Sequence, residues 1–299
     1  MFPIAFSPIY KYPVPAGHRF PMDKYELLPL QLVREGIAEQ SDFFSPEQVD
    51  PYPVYAVHGR EYVDRFLAGT LSPREMRRIG FELTPLLIER ELCITNGTVL
   101  GALKALDTGI SFNIAGGTHH ACRDPGEGFC MINDQAVAAQ YLLDHKKAVQ
   151  ILVIDLDVHQ GNGTADIFSN EPRVFTFSMH GKNNYPFRKE KSDLDVPLDD
   201  WTEDHVYLQL LEQILPGLVE RVRPDFIFYQ AGVDILKTDR FGRMSCTAEG
   251  CRLRDEIVLG IAAKNGIPLQ CSMGGGYSPQ LRTILDAHAN TFRSAAQIF

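Results

Sequence analysis

Five short runs of aliphatic, β-branched and aromatic residues constrain this chain most: Ile110 to Ile114, Ile151 to Val158, Val174 to Met179, Phe226 to Ala231 and Ile267 to Ser272. They are apolar almost throughout instead of alternating, as parallel strands covered on both faces are. Helix-like stretches separate them, at Thr98 to Leu106, Asn133 to Leu143, Glu203 to Val222 and Thr247 to Ala263. This alternation predicts an α/β fold, a single domain over residues 1–299 with a central parallel β-sheet flanked by helices. The Pro-rich opening, Pro3 to Pro53, reads as irregular surface structure with one short helix around Tyr25 to Gly36.

Composition narrows the function classes. Lys and Arg number 29 against 38 Asp and Glu, a net charge of −9. Such a surface argues against direct nucleic-acid binding and is compatible with a basic substrate. No run approaches the roughly 18 apolar residues of a membrane span. The opening MFPIAFSPIYKYPVP lacks the basic-then-apolar order of a signal peptide, and cysteine usage sets the expectation of a cytoplasmic protein. The six cysteines form no CxxC pair and read as reduced, buried small hydrophobes.

Function is signalled where the strands end. Ile110 to Ile114 runs into Gly116-Gly117-Thr118-His119-His120, and Ile151 to Leu156 into Asp157-Val158-His159-Gln160-Gly161-Asn162-Gly163. Val174 to Phe177 ends at Ser178-Met179-His180-Gly181, Phe226 to Tyr229 at Gly232-Val233-Asp234, and Leu269 to Met273 at Gly274-Gly275-Gly276-Tyr277. Ligands of open parallel sheets bind at the carboxyl ends of the strands, where loops converge on one edge. Five such clusters can build a single pocket.

Asp155-x-Asp157-x-His159 is the most informative of these strings. On a continuing strand its three side chains project to one side at successive heights. Carboxylates in an apolar strand are costly unless paired or metal-bound, and this mix of oxygen and nitrogen donors suits zinc. Asp234, following FIFYQAGV, is the best placed third ligand beside Asp157 and His159; alone it would read as a turn or helix-capping aspartate. Two carboxylates leave zinc-bound water less acidic than three histidines would, so a neighbouring general base becomes useful. His119 and His120 supply candidates, one as base and the other as an electrostatic or proton-shuttling partner; surface positions or metal ligation are the alternatives. Tyr277 after three glycines can present its hydroxyl to an oxyanion, although a glycine loop before a helix also suits anion binding. The remaining histidines, His18, His58, His145, His205 and His288, stand without evident partners, and His180 lies near the pocket without an assigned role.

The strings GGTHHACRDPGEGFCMIND, VIDLDVHQGNG, QAGVDIL and GGGY occur in the order found in the histone deacetylase superfamily, which this chain resembles over nearly its whole length. The wording of HQGNG and of AGVDILKTDRFGRMSCTAEG is most similar to its class IV branch and nearby bacterial deacetylase-like proteins. The resemblance implies the arginase-deacetylase fold and a zinc ion (Zn2+) held by Asp157, His159 and Asp234. It implies His120 as general base, His119 as its electrostatic partner, Asp155 orienting His119, and Tyr277 polarising the scissile amide carbonyl. Asp155, Asp157, His159, Ser178 and Met179 fall at a structural potassium (K+) site of the family. Gly128, Phe129, Tyr185, Gly275 and Gly276 would line an acyl-lysine tunnel.

Two positions depart from the wider family. Asn162 stands where many members pair an aspartate with the second tandem histidine, which predicts a lower His120 pKa than in those relatives. Met273 replaces a glycine of some branches and alters the floor of the acyl pocket. The expected reaction is hydrolysis of an N-acyl amide, with acyl-lysine in a peptide or protein as substrate. Rival readings are an acyl-polyamine or other small acyl-amine hydrolase, an arginase-like two-manganese hydrolase, and a catalytically silent acyl-lysine binding module.

Overall fold

The structure is a computed structural model that describes residues 2–46 and 51–299. In chain order its elements are β1 (Ile4–Ala5), α1 (Lys24–Arg34), β2 (Phe43–Phe44), α2 (Arg60–Leu67), α3 (Pro73–Ile79) and α4 (Pro85–Thr108). There follow β3 (Ile110–Asn113), α5 (Asp134–Asp144), β4 (Ile151–Asp155), α6 (Asn162–Phe168), β5 (Val174–Gly181) and β6 (Leu194–Leu198). The chain closes with α7 (Asp204–Val222), β7 (Phe226–Gln230), α8 (Ala248–Asn265), β8 (Leu269–Ser272) and α9 (Leu281–Ile298).

Among the described residues the strands form one eight-stranded sheet in the order β2-β1-β3-β8-β7-β4-β5-β6, with every pairing parallel. Every residue of β3, β4, β7 and β8 is buried, which is why these strands are apolar on both faces. The helices pack in two groups flanking the sheet, α4 with α5 and α6, and α1 with α9, α8 and α7. The single α/β architecture expected from strand–helix alternation is the one observed.

Local chemistry sets the helix ends. Thr84 accepts a hydrogen bond from Leu87 N and Pro85 opens α4, so this helix begins well before the expected Thr98. Asn133 caps α5 through Ala136 N, and Thr247 caps α8 through Gly250 N. The edge strand β6 carries Pro197, a residue tolerated at a sheet edge, and that proline hid the strand from a pattern-based reading.

Two expectations need correction. The opening Pro3 to Pro53 is not merely surface: β1 inserts between β2 and β3, and Phe2, Tyr10, Phe20 and Met22 are buried in the core. Residues 47–50 of that stretch lie outside the described residues. Second, Asp155, Asp157 and His159 do not stack along one strand. β4 ends at Asp155 because side-chain carboxylates capture the next backbone donors. Asp157 N donates to Asp155 Oδ1, Val158 N to Asp234 Oδ1 and His159 N to Asp157 Oδ1. The ladder stops and the chain turns, gathering the three side chains in a loop.

Candidate active site

The loops after β3, β4, β7 and β8 carry the chemistry, and those four strands are sheet neighbours. Their carboxyl ends deliver His119, His120, Asp157, His159, Gly274, Gly275 and Tyr277 to the lining of one pocket, with Asp234 beside Asp157 and His159. Asp134 fastens the first loop: its Oδ1 accepts from Gly117 N (2.9 Å) and Thr118 N (2.8 Å), tying the approach to His119 onto the start of α5.

Asp157, His159 and Asp234 are buried, and one ligand atom from each lies within 4.8 Å of the others. His159 Nδ1 stands 3.0 Å from Asp157 Oδ1 and 3.1 Å from Asp234 Oδ2. Burial works against charge on His159, but its bonds to Asp157 and Asp234 outweigh that and lift its pKa to about 10. Burial, then the nearby Asp157 charge, raises Asp234 to about 7. Two carboxylates packed this tightly call for a cation, and without one an imidazolium proton takes the place. The backbone makes room as well. A Cβ at Gly275 would lie 2.0 Å from Asp234 Oδ2 and 2.8 Å from Asp157 Oδ2, so only glycine lets this loop approach. Oxygen and nitrogen donors, burial and a glycine-lined cradle fit a divalent ion such as zinc.

Beside this group stand the tandem histidines, with ring centroids 4.1 Å apart. His119 Nδ1 bonds Asp155 Oδ2 at 2.7 Å, and His119 Nε2 lies 3.9 Å from Asp157 Oδ1. His120 Nδ1 bonds Asn162 Oδ1 at 2.6 Å, while its Nε2 has no hydrogen-bond partner among the described residues. Tyr277 packs against Phe241, Phe20 and Phe129, and its hydroxyl likewise has no partner among the described residues. A base nitrogen and a phenolic donor are thus both left available beside the cation group.

The expected tunnel residues divide. Gly128 and Phe129 line both the inner cavity and its mouth, Gly275 lines the inner cavity and Tyr185 the mouth. Gly128 has φ +55°, and a Cβ there would meet His120 Cδ2 at 2.8 Å. Gly276 is a correction: a side chain at that position would face Val233, Ile284 and His288, behind the pocket wall. The residues expected around potassium gather at the ends of β4 and β5, where Asp155 pairs in register with Ser178. Ser178 Oγ already bonds His180 Nδ1 at 2.9 Å, and Met179 is fully buried.

His58 also departs from expectation. It is buried, its Nδ1 bonding Cys122 O and its Nε2 accepting from Asn133 N. His18 is partnered too, through Gly80 O and Phe20 N. All six cysteines are free and buried.

Three residues of the site escaped the sequence reading. Lys24 is buried, donates to Gly274 O at 2.8 Å, and is lowered to about 8 by burial against the pull of Asp234 and Asp157. Glu127 accepts from Asn162 Nδ2 at 2.7 Å and forms an ion pair with Arg78. Glu127 lies between Gly126 and Gly128, and an acid in a glycine-rich string was the available signal. Nothing local marks Arg78 or Lys24. At the mouth Arg243 pairs with Asp200, while Arg19, Lys237 and Arg240 are exposed and have no carboxylate partner among the described residues.

Residues 18–292 match the histone deacetylase domain, and the chain belongs to the histone deacetylase family. It is 40% identical over 298 residues to an uncharacterized protein of Picosynechococcus sp., covering 100% of this chain and 99% of that one. With histone deacetylase 2 of Arabidopsis thaliana it shares 28% identity over 287 residues, 92% of this chain and 74% of the relative. The crystal structure of the HDA15 HD domain has the same fold, with a TM-score of 0.84 at 20% identity, covering 99% of this chain and 88% of that one. Among the described residues no helix is long and apolar enough to cross a membrane.

Proposed function

We propose that this chain is a zinc-dependent deacylase that hydrolyses N-acyl amines, with acyl-lysine in a peptide or protein as its substrate. One observation carries the reading: Asp157, His159 and Asp234 converge, and Asp157 and His159 line the same pocket as His120 and Tyr277. A bound zinc ion would be held by those three side chains and would supply Lewis acidity toward the carbonyl and the attacking water. His120 takes the proton from that water through Nε2, since Nδ1 is committed to Asn162. Tyr277 donates its hydroxyl to the oxygen of the tetrahedral oxyanion. A histidine of the pair returns a proton to the departing amine, and Asp155 keeps His119 oriented. Phe129 and Tyr185 flank the approach of an extended acyl-lysine arm.

The reading extends to the class IV branch, to one catalytic domain over residues 1–299, to a cytoplasmic setting, and to a structural potassium ion beside Asp155 and Ser178. The branch and the potassium ion rest on the sequence resemblance, the single domain on the strand–helix alternation, and the cytoplasmic setting on the reduced cysteines. The test is a panel of acyl-lysine peptides and acyl-polyamines, assayed before and after chelation and with metal content measured. Turnover of peptides that is lost on chelation and regained with one zinc per chain is the expected result. Preference for polyamines would redirect the substrate, two manganese ions per chain would favour the arginase-like alternative, and binding without turnover would favour the silent binding module. Full activity after complete metal removal would end the proposal.

A further inference from the structure

We infer that Glu127 is a positioning residue for His120, acting through Asn162, and that the residues at 127 and 162 are chemically interdependent. The inference rests on the deacylase reading only where activity is the readout.

The argument follows the direction of each hydrogen bond. Glu127 is 4% exposed, and its carboxylate can only accept. It accepts from Arg78 Nε at 2.5 Å through Oε2, and from Asn162 Nδ2 at 2.7 Å through Oε1. An amide has one donor end and one acceptor end, so with Nδ2 committed to Glu127 the Oδ1 of Asn162 must face His120. Oδ1 can only accept, so the His120 nitrogen 2.6 Å away, Nδ1, must carry the proton. In the neutral ring Nε2 is then bare, as a base facing the pocket requires. Further backbone bonds brace the assembly. Gly128 N donates to Arg78 O at 3.2 Å and Phe129 N to Ile79 O at 2.7 Å, fixing the end of α3 against the pocket wall.

Replacing Glu127 by glutamine supplies one acceptor where two are needed. The cationic Arg78 claims that oxygen, since hydrogen bonds to charged donors are the stronger ones. The new amide nitrogen then faces Asn162, whose amide must rotate and turn Nδ2 toward His120. Nδ1 becomes the acceptor, the proton moves to Nε2, and the base is blocked. Replacing Asn162 by aspartate alone keeps an acceptor for Nδ1 but sets two carboxylates at hydrogen-bond distance, and their repulsion pushes the new side chain out of place against the His120 ring. The double change restores order: the glutamine oxygen serves Arg78, its nitrogen serves the new carboxylate, and the carboxylate accepts from Nδ1.

The experiment uses the full chain loaded with zinc, with ring nitrogens of 15N-histidine assigned by comparison with His120→Ala, and kcat and KM measured on an acyl-lysine peptide. In the unaltered protein His120 should carry its proton on Nδ1. Glu127→Gln should move it to Nε2 and lower kcat by roughly tenfold or more while KM stays within about twofold. Asn162→Asp should keep the proton on Nδ1 yet lower kcat through the displaced carboxylate, and the double variant should carry the Nδ1 proton and recover most of kcat. Glu127→Gln is thus harmful beside asparagine and beneficial beside aspartate, a reversal of sign that a merely structural glutamate would not give. An Nε2 proton in the unaltered protein overturns the inference without any variant. So does a Glu127→Gln protein with unchanged ring signals, or one impaired equally in both backgrounds. Expected ring signals in a chain that turns over no acyl amine would uphold this inference and sink the deacylase reading.

Discussion

His119 and His120 are adjacent in the chain, 4.1 Å apart between ring centroids, and their proton affinities are driven in opposite directions. For both, burial disfavours charge. At His119 the carboxylates of Asp155 and Asp157 overcome it and raise the pKa to about 9. At His120 the charges of His119 and His159 reinforce it, the Asn162 bond and the Asp157 charge oppose it less strongly, and the pKa falls well below the ordinary histidine value. Separating two imidazoles in this way is what the proposed division of acid and base duties requires.

Tyr277→Phe removes a hydroxyl that has no hydrogen-bond partner among the described residues. Zinc content and fold should be unchanged, while kcat falls about 10²-fold or more, the usual cost of losing one oxyanion donor. Steady-state kinetics with metal analysis of the same sample checks this. Turnover near that of the unaltered protein would exclude Tyr277 from the chemistry.

Metal binding should expel protons. With His159 raised to about 10 and Asp234 to about 7, the metal-free site holds at least one proton at pH 7.5 where the cation must go. Calorimetric zinc titrations in buffers of different ionisation enthalpy should therefore report release of about one proton or more per ion. Buffer-independent heats would contradict the arrangement.

Stability of the metal-free chain should depend on pH with a defined sign. Unfolded imidazole titrates near 6.5, whereas His119 and His159 titrate near 9 and 10 in the fold. Their stabilisation is complete below about pH 6.5 and lost as pH climbs toward about 10. The chelated protein's Tm should fall across that window, and fall less with zinc bound, because the ion supplants the proton. A flat or rising Tm in the chelated protein would oppose this account.

Gly275→Ala tests the cradle. Its new methyl would sit 2.0 Å from Asp234 Oδ2, so either the loop or the carboxylate must move. Zinc affinity should drop by at least about tenfold, and stability by about 1–3 kcal/mol, the range for overpacking. Isothermal titration and thermal unfolding measure the two. Unaltered affinity would mean that Asp234 is not held where the ion binds.

The mouth of the pocket reverses the charge of the whole. Against a net −9, the cations Arg19, Lys237 and Arg240, without a carboxylate partner among the described residues, line the opening together with exposed Phe187 and Trp201. Acyl-lysine peptides with acidic flanks should give kcat/KM several-fold above those with basic flanks, and the gap should narrow as salt rises. An opposite preference would remove these side chains from substrate selection.

Much of the architecture and of the metal group was legible in sequence, because buried parallel strands must be apolar and their ends must carry the polar residues. Asp157, His159 and Asp234 announced themselves by following such runs. What local sequence could not convey was distance across the fold. The two-residue strands β1 and β2 are too short for a pattern. Asp155 looked like a mid-strand residue because nothing local reveals that Asp234 will take the next backbone donor. Arg78, 84 residues from Asn162 in the chain, reaches it only through a folded contact with Glu127. Gly276 was grouped with its neighbours by motif, although its own backbone turns the other way.

The carboxylates of the metal group come from positions 157 and 234, yet the loop that encloses them closes only with Gly275, and Tyr277 follows near the end of the chain. During synthesis on a ribosome, both acids emerge well before the residues that enclose them. On the proposed reading, ion capture in a closed site is consequently a late event in the life of the polypeptide, and a truncation between positions 234 and 277 yields a product that has both acids and lacks the phenol.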